Sequence, residues 1–600
     1  MDNPCDGRRA TGDGRRATGD GRRATGDGRR ATGDVLFAAR SANALHRLLD
    51  VLPVFAGDAR IRRLFTLVPG SVFDVDALAA IERVHARTIP WDEACGRPFD
   101  LILAASPKGD LGLLHGDRVL LPHGAGFNKT IRGEGSGDSA SGLDPAYVLP
   151  GGRPVSTLYA LAHPSQVARL AAVSPLAARQ SAVVGDPTLE RLLASRSHRD
   201  RYRAALGTGG RKLIVLTSTW GPESLLARRP TLPAELAARL PHDRYQAALV
   251  VHPNERSRTG ALDLAERLAP ALDAGLILAG PYEEWAAVLV AADAVITDHG
   301  STALYAAALD RTVIAAYDGG DELIPGSPMA ELLDHSPRLA RPDSLEAAVE
   351  AALDSAVDSA LGAHRPGATR AFADTAFAEQ GRALRRLREE VYGLLGLDPP
   401  TAPATARLLP PPAPSARVPA AFAVRVHISG TEVRVERYPA HSDAPAHHLA
   451  AEHGTASERH AQSAGLLYRR AERPGDAPHR VVRTVAGWTA DILDSYPGCR
   501  TASVILSASS LCVVRTRSGA LLTVRISPCR ETDRIVHADP AAVLSAVHAW
   551  LAARPGPPAA ETDAETDAAA AAAAINCRIG GRLFPVRLSA ATPDEAELTV

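Results

Sequence analysis

Between residues 35 and 395 the chain alternates short apolar runs with alanine- and leucine-rich stretches of helical length, and this alternation constrains the fold more than any other feature. The runs Leu64–Val68, Phe99–Ala104, Val119–Leu121, Ser181–Val184, Leu213–Thr217, Ala247–Val251, Leu276–Leu278, Ala294–Thr297 and Thr312–Tyr317 read as strands. Helices fall between them, for example Asp76–Ala86, Ser165–Leu170, Ala261–Ala274, Tyr282–Ala292 and Ser344–Ser359. A strand with no polar face needs cover on both sides, and strand–helix alternation supplies it by laying helices over a parallel sheet. A span of about 360 residues is too long for one such sheet. The glycine-rich turn Gly207–Gly210 offers a seam, so the expectation is α/β, with two Rossmann-like domains at 35–205 and 206–397.

The flanks differ. Residues 7–34 are four copies of GRRATGD, with two glycines and no apolar face per unit, so 1–34 reads as a disordered tail. An Arg-rich arm touching phosphates or anionic lipid is the functional alternative there. Residues 398–420 carry eight prolines and read as a semi-extended linker. Beyond it, Phe422–His427 and Thr431–Arg437 flank Ser429-Gly430 as a hairpin, and Thr501–Ser507, Leu511–Arg517 and Ala520–Ile526 alternate in period two. Helices are expected at His447–Arg470, Val485–Ser495 and Pro540–Ala553, with a low-complexity run at Glu561–Ala574. Residues 421–600 therefore read as a small α+β C-terminal module.

Composition removes several classes of function. The 600 residues carry a net charge of −1, which argues against a strongly basic nucleic-acid binder and against an acidic disordered chain. Six cysteines without a CxxC pair argue against a disulfide framework and a zinc knuckle, and suit a reducing compartment. The chain shows neither an apolar run of membrane-spanning length nor a signal-peptide core, so a soluble protein is expected. Only three lysines, Lys108, Lys129 and Lys212, occur in a chain whose positive charge is otherwise arginine.

Four segments end strands in chemistry-bearing residues. The first is Asp293-Ala-Val-Ile-Thr297-Asp298-His299-Gly300-Ser301-Thr302, where a buried strand opens into a helix. Such a helix start offers unpaired N–H groups and a positive dipole end to a phosphate, and Ser301 and Thr302 add hydroxyls. A capped helix after a core strand is the bland alternative. The second, Pro122-His123-Gly124-Ala-Gly126-Phe-Asn128-Lys129-Thr130, is a glycine-rich turn in which His123 has the chemistry of a base and Lys129 that of a phosphate partner. The third closes on Thr217, Ser218 and Thr219, and the fourth places His252 at a strand end. Ligands of open α/β sheets bind outside strand carboxyl ends, so these segments are expected to converge on one cleft.

In this order HG-x-G-x-N-K-T, VVGDPTLERL, VLTSTW, VVHPNE and ADAVITDHGS with ALDRTVIAAYDGGDE resemble the CDP-glycerol glycerophosphotransferases of teichoic-acid synthesis. More broadly they resemble GT-B nucleotide-diphosphate transferases and UDP-N-acetylglucosamine 2-epimerases. The resemblance spans about residues 100–325 and implies a GT-B-like transferase acting on a cell-envelope polymer or glycan. It implies no resident cofactor and no metal; the nucleotide diphosphate is substrate. By position, His123 corresponds to the proposed base, while His252, Thr297, Asp298 and Ser301 correspond to the nucleotide-diphosphate contacts. The site so assembled has His123, Lys129 and Asp298 as catalytic residues. Gly124, Gly126, Thr217, Ser218, Thr219, His252, Thr297, Gly300, Ser301 and Thr302 bind the donor. The family's tryptophan, arginine, serine and aspartate are replaced by Pro122, Gly221, Gly300 and Tyr305. The implied place is the cytoplasm, with peripheral contact at the inner membrane face open to it.

Other motifs weigh little. Gly207-Thr-Gly-Gly-Arg-Lys212 lacks the phosphate-loop spacing and precedes a strand instead of following one. The histidines 441, 447, 448 and 453 have no matching carboxylate spacing. Asp318, Asp321 and Glu322 form an acidic loop that reads either as a ribose or acceptor contact or as solvated charge. Two rival readings stand beside the transferase: a non-catalytic GT-B-fold scaffold with 421–600 binding a partner, and an epimerase-like enzyme.

Overall fold

A computed structural model describes residues 33–70, 81–121, 124–130, 139–317, 320–339, 353–413, 417–440, 446–471, 482–507, 510–554 and 572–600. The tail to residue 32, Pro122, His123, Asp318 and His441 lie outside the described residues, as do the first parts of the expected helices at Asp76–Ala86 and Ser344–Ser359 and the alanine run before Ala572.

Strands β1 (Gly33–Ala39), β2 (Ile61–Leu67), β3 (Pro98–Ala104), β4 (His115–Leu120), β5 (Leu158–Leu161) and β6 (Ser181–Val183) form one parallel sheet in the order 2-1-3-4-5-6. Strands β7 (Lys212–Ser218), β8 (Tyr245–Val251), β9 (Ile277–Leu278), β10 (Ala294–Thr297) and β11 (Thr312–Ala315) form a second, in the order 11-10-7-8-9. The period of two divides each strand between two cores. Val35 and Phe37 enter one cluster while Leu36 and Ala38 enter another, and Leu213 and Val215 separate from Ile214 and Leu216 in the same way. Both faces are covered, which is why these strands read as unbroken apolar runs.

Two strands escape the sequence pattern. β1 begins inside the last repeat unit, whose Asp34 is held by Arg62 and, at 2.5 Å, by Arg97. β5 is a four-residue Leu-Tyr-Ala-Leu run whose composition suits a helix equally well. The halves also exchange helices. Pro187–Ser195 and Arg199–Ala205 pack with the second sheet through Leu189, Leu192 and Tyr202. Ala383–Leu395 returns to the first sheet through Leu384, Leu387 and Val391. The proline-rich segment is extended and docked: the Leu409 carbonyl accepts from Tyr202 Oη at 2.9 Å, its amide donates to Ser195 Oγ at 3.0 Å, and its side chain is buried.

The C-terminal module is a closed nine-stranded barrel of mixed strand direction. The hairpin Ala421–Ser429 and Glu432–Pro439 and the meander Thr501–Ile505, Leu511–Thr516, Leu521–Ile526 follow the sequence pattern. The helix expected over 447–470 does not form. His448–Glu452 and Leu466–Arg470 are strands, separated by the short helix Glu458–Ser463. Leu466 and Tyr468 face one core and Leu467 the other, a period of two that overrides the helical propensity of the alanines. Pro540–Ala552, apolar all round, packs with the inward residues Val424, Val435, Val514, Val524 and Phe584.

The barrel is clamped to the second half. Arg437, 1% exposed, donates to both oxygens of Asp243 at 2.6 and 2.8 Å and to Asp539 Oδ2 at 2.8 Å. At Gly580 a Cβ would stand 2.4 Å from the Asp243 carbonyl, so only glycine permits this approach. His242 packs against Phe422 with the rings tilted by 54° and their centroids 4.9 Å apart.

Arg437→Ala takes the guanidinium from buried Asp243 and leaves Asp539 with Arg470, an expected cost of about 3 kcal/mol. It is read as a lowered thermal melting point with accelerated hydrogen exchange in the 421–439 hairpin. Burial holds His242 and His548 down to about 4 and His448 to about 3. The unfolded chain therefore binds protons first as the solution is acidified, so stability is full above about pH 6.5 and falls between there and about pH 4. Denaturant titrations at a series of pH values check the sign.

Candidate functional site

The carboxyl ends of the two sheets face one cavity of about 690 Å³. Each sheet has one place where neighbouring strands send their connections in opposite directions: between β1 and β3 in the first, between β7 and β10 in the second. The cavity is lined from all four of those strand ends: by Arg40 and Ser41 after β1, Ser106 and Lys108 after β3, Thr217 to Trp220 at β7, and Asp298 to Thr302 after β10. Among the described residues, five lysines and arginines line it (Arg40, Arg47, Lys108, Lys129 and Arg256) against a single acidic residue, Asp298. In a chain of net charge −1 this concentrates positive charge at one place.

That one carboxylate is occupied. Asp298 Oδ2 accepts from the amides of Thr219 at 2.7 Å and Leu225 at 2.8 Å, while Oδ1 accepts from Gly300 at 2.9 Å. Asp298 is 1% exposed, and its charge ties the β10 loop to the loop after β7. A carboxylate accepting three N–H groups has little left for a reacting proton, so the geometry gives Asp298 an organising place.

Of the other residues expected here, Gly124, Gly126, Lys129, Thr217, Ser218, Thr219, His252, Gly300, Ser301 and Thr302 line the cavity. Thr297 sits behind it, fully buried, linked to Thr217 Oγ1 at 2.8 Å. His123 lies outside the described residues. Several hydroxyls are spent internally: Ser218 Oγ accepts from Leu226 at 3.2 Å and donates to the Thr219 carbonyl at 3.1 Å. Gly126 holds φ +93°, and a Cβ there would stand 2.1 Å from Gln166 Nε2, which the glycine-rich turn of the sequence avoids.

His252 caps the Pro253–Thr259 helix, its Nδ1 accepting from the Asn254 amide at 3.1 Å. An accepting Nδ1 carries no proton, so the neutral ring bears its hydrogen on Nε2. Lys129 Nζ lies 3.4 Å from Thr219 Oγ1, 3.7 Å from Glu322 Oε2 and 5.6 Å from the centre of the Trp220 ring. Burial pulls its ammonium below the usual lysine range, against the opposing pull of Glu322, Asp298 and Glu223. Lys108 is pushed down to about 8 by burial and by the charge of Arg40.

Sequence reasoning left three parts of this site unassigned. Tyr305 donates to Asp186 Oδ2 at 2.7 Å and accepts from Arg47 at 2.8 Å, joining the two halves through a buried phenol. Glu322, left undecided in the sequence, is 4% exposed and pairs with His299 Nε2 at 3.0 Å. Burial raises its carboxyl, yet the His299 hydrogen bond and the Lys129 charge outweigh that and leave it below the usual range. The residues at the first sheet's reversal were overlooked because β1 was hidden in the repeat; reading Val35–Ala39 as a strand would have placed Arg40 and Ser41 at its end. Arg40 Nε, His46 Nε2 and Asn254 Oδ1, all in residues of the cavity wall, are buried without a hydrogen-bond partner among the described residues.

Among the described residues no group of three or more His, Cys, Asp or Glu is placed to hold a metal ion, and no helix is long and apolar enough to cross a membrane.

No family model matches the chain, and no curated protein matches it in sequence. Solved structures resemble it over part of its length. The wall teichoic acid polymerase TagF is 15% identical, with 61% of this chain and 90% of that one covered at a TM-score of 0.43. A variant of TagF soaked with CDPG is 14% identical, covering 61% and 89% at a TM-score of 0.42. Anabaena Alr3699/HepE in complex with UDP-glucose is 16% identical, covering 61% and 99% at a TM-score of 0.38. These are likenesses of distant chains, and the function rests on this chain's own residues.

Asp298→Asn puts an amide where three N–H groups need acceptors, leaving at least one buried donor unpaired at about 1–3 kcal/mol. The expected outcome is a folded protein of lower melting temperature, with faster hydrogen exchange at Thr219, Leu225 and Gly300.

Proposed function

We propose that the chain is a GT-B-like transferase that takes a nucleotide-diphosphate donor, CDP-glycerol or a nucleotide sugar, and modifies a hydroxyl of a cell-envelope polymer or glycan. The observation that supports this reading is the cavity formed where both sheets reverse, whose described wall carries five lysines and arginines and one internally satisfied carboxylate. A ligand with concentrated negative charge fits such a wall, and a diphosphate has it.

In this reading the diphosphate lies against the β10 loop at Ser301 and Thr302, with Lys129 offsetting charge that builds on it as the bond to the leaving group lengthens. The His252 Nε2–H is the remaining donor of that ring. The acceptor oxygen forms its bond to phosphorus as the nucleotide leaves as its monophosphate, or to the anomeric carbon as it leaves as its diphosphate. His123, by its place in the glycine-rich turn, takes the acceptor proton. Such transfers depend on positioning and charge more than on covalent help from the protein. Asp298 serves by holding the loops, and the 421–600 barrel travels with the donor half.

The test is a thermal-shift series with CDP-glycerol, UDP-N-acetylglucosamine and other nucleotide sugars. One donor is expected to raise the melting temperature clearly. His252→Ala should lose most of that shift, whereas His123→Ala should keep the shift and lose transfer. A protein that responds to none of these donors is a scaffold and not a transferase.

A further inference from the structure

We propose that Glu322 is a positioning residue of this site, a buried carboxylate that holds the Lys129 ammonium and the His299 ring from behind the cavity wall. The inference rests on reading the cavity as a donor site. Lys129 and His299 line the cavity and Glu322 does not, so the carboxylate meets both from the side away from a ligand.

The backbone around Glu322 fixes it in three directions. Its carbonyl accepts from the Thr130 amide at 2.8 Å, and the Ile324 amide donates to the Asn128 carbonyl at 2.9 Å, which stitches this loop to the lysine-bearing turn of the first half. Its own amide donates to Glu223 Oε2 at 3.1 Å, in the loop after β7. Its side chain reaches His299 in the loop after β10. One residue thus joins the lysine turn to both strand ends of the second sheet's reversal.

The hydrogen bonds of His299 follow from their partners. The Tyr317 hydroxyl donates to the Glu223 carbonyl and lies 3.3 Å from His299 Nδ1. An ionised Glu322 only accepts, so His299 Nε2 donates to it at 3.0 Å. Two donors therefore converge on one carboxylate. The other acids facing Lys129 are engaged elsewhere: Asp298 by three amides, Glu223 by Arg228 at 3.0 Å and by the Glu322 amide. Burial favours neutral lysine and the Glu322 charge opposes it. Removing that charge therefore moves Lys129 titration to lower pH and narrows the range over which the ammonium is available to a diphosphate.

The scarcity of lysine makes this measurable on the full chain. Reductive methylation with ¹³C-formaldehyde labels only Lys108, Lys129, Lys212 and the terminal amine, and Lys129→Arg assigns the signal. In Glu322→Gln, Lys129 is expected to titrate at lower pH than in the parent while Lys108 is unmoved. Calorimetric binding of CDP and UDP should fail at correspondingly lower pH, and Glu322→Asp should lie closer to the parent in both measurements. An unmoved Lys129 titration, or a nucleotide affinity with the same pH dependence in Glu322→Gln and parent, overturns the proposal. A parent protein that binds neither nucleotide overturns the donor-site reading instead, and the titration then decides the placement of Glu322 alone. If Glu322→Gln does not fold, Glu322→Asp carries the same two measurements, with a smaller displacement in the same direction.

Discussion

The three amide hydrogen bonds to Asp298 hold together the working edge of the second sheet. β10 ends there, the loop after β7 turns there, and the short helix beginning at Leu225 starts there. A buried carboxylate needs such partners, and backbone amides in irregular loops need acceptors, so each requirement is met by the other. With the loops fixed, Thr219 stands beside Lys129, and the Gly300–Thr302 turn faces the cavity.

Charge is distributed with similar economy. Many of the described arginines outside the cavity are paired with acids, as Arg203 and Arg199 pair with Asp293 and Arg191 with Asp50. The cavity is the exception, because its wall gathers basic side chains from both halves while the matching acids sit behind it or are satisfied by backbone.

Much of the fold and of the candidate site was legible in the sequence, for physical reasons that particular residues show. Runs such as Leu213–Thr217 and Ala294–Thr297 announced both-face burial, and the polar residues that end them marked the cavity edge. What escaped depended on partners far away in sequence. Tyr305 reads as a helix residue until Arg47 and Asp186 close on its hydroxyl, and Glu322 reads as surface charge until Lys129 and His299 bury it. The strands at His448–Glu452 and Leu466–Arg470 were misread because alanine-rich composition speaks for helix, while register across a barrel is set by neighbours. β1 was obscured because its first two residues belong to the last repeat unit.

The exchange of helices between the two halves bears on how the chain is made. The first sheet has all its strands once Val183 has been synthesised, but Leu384, Leu387 and Val391, which complete one of its cores, come about 200 residues later. At ribosomal rates of roughly 5–20 residues per second, that leaves an apolar groove uncovered for about 10–40 s. That core of the first half is therefore completed only after the second half has emerged and its last helix folds back.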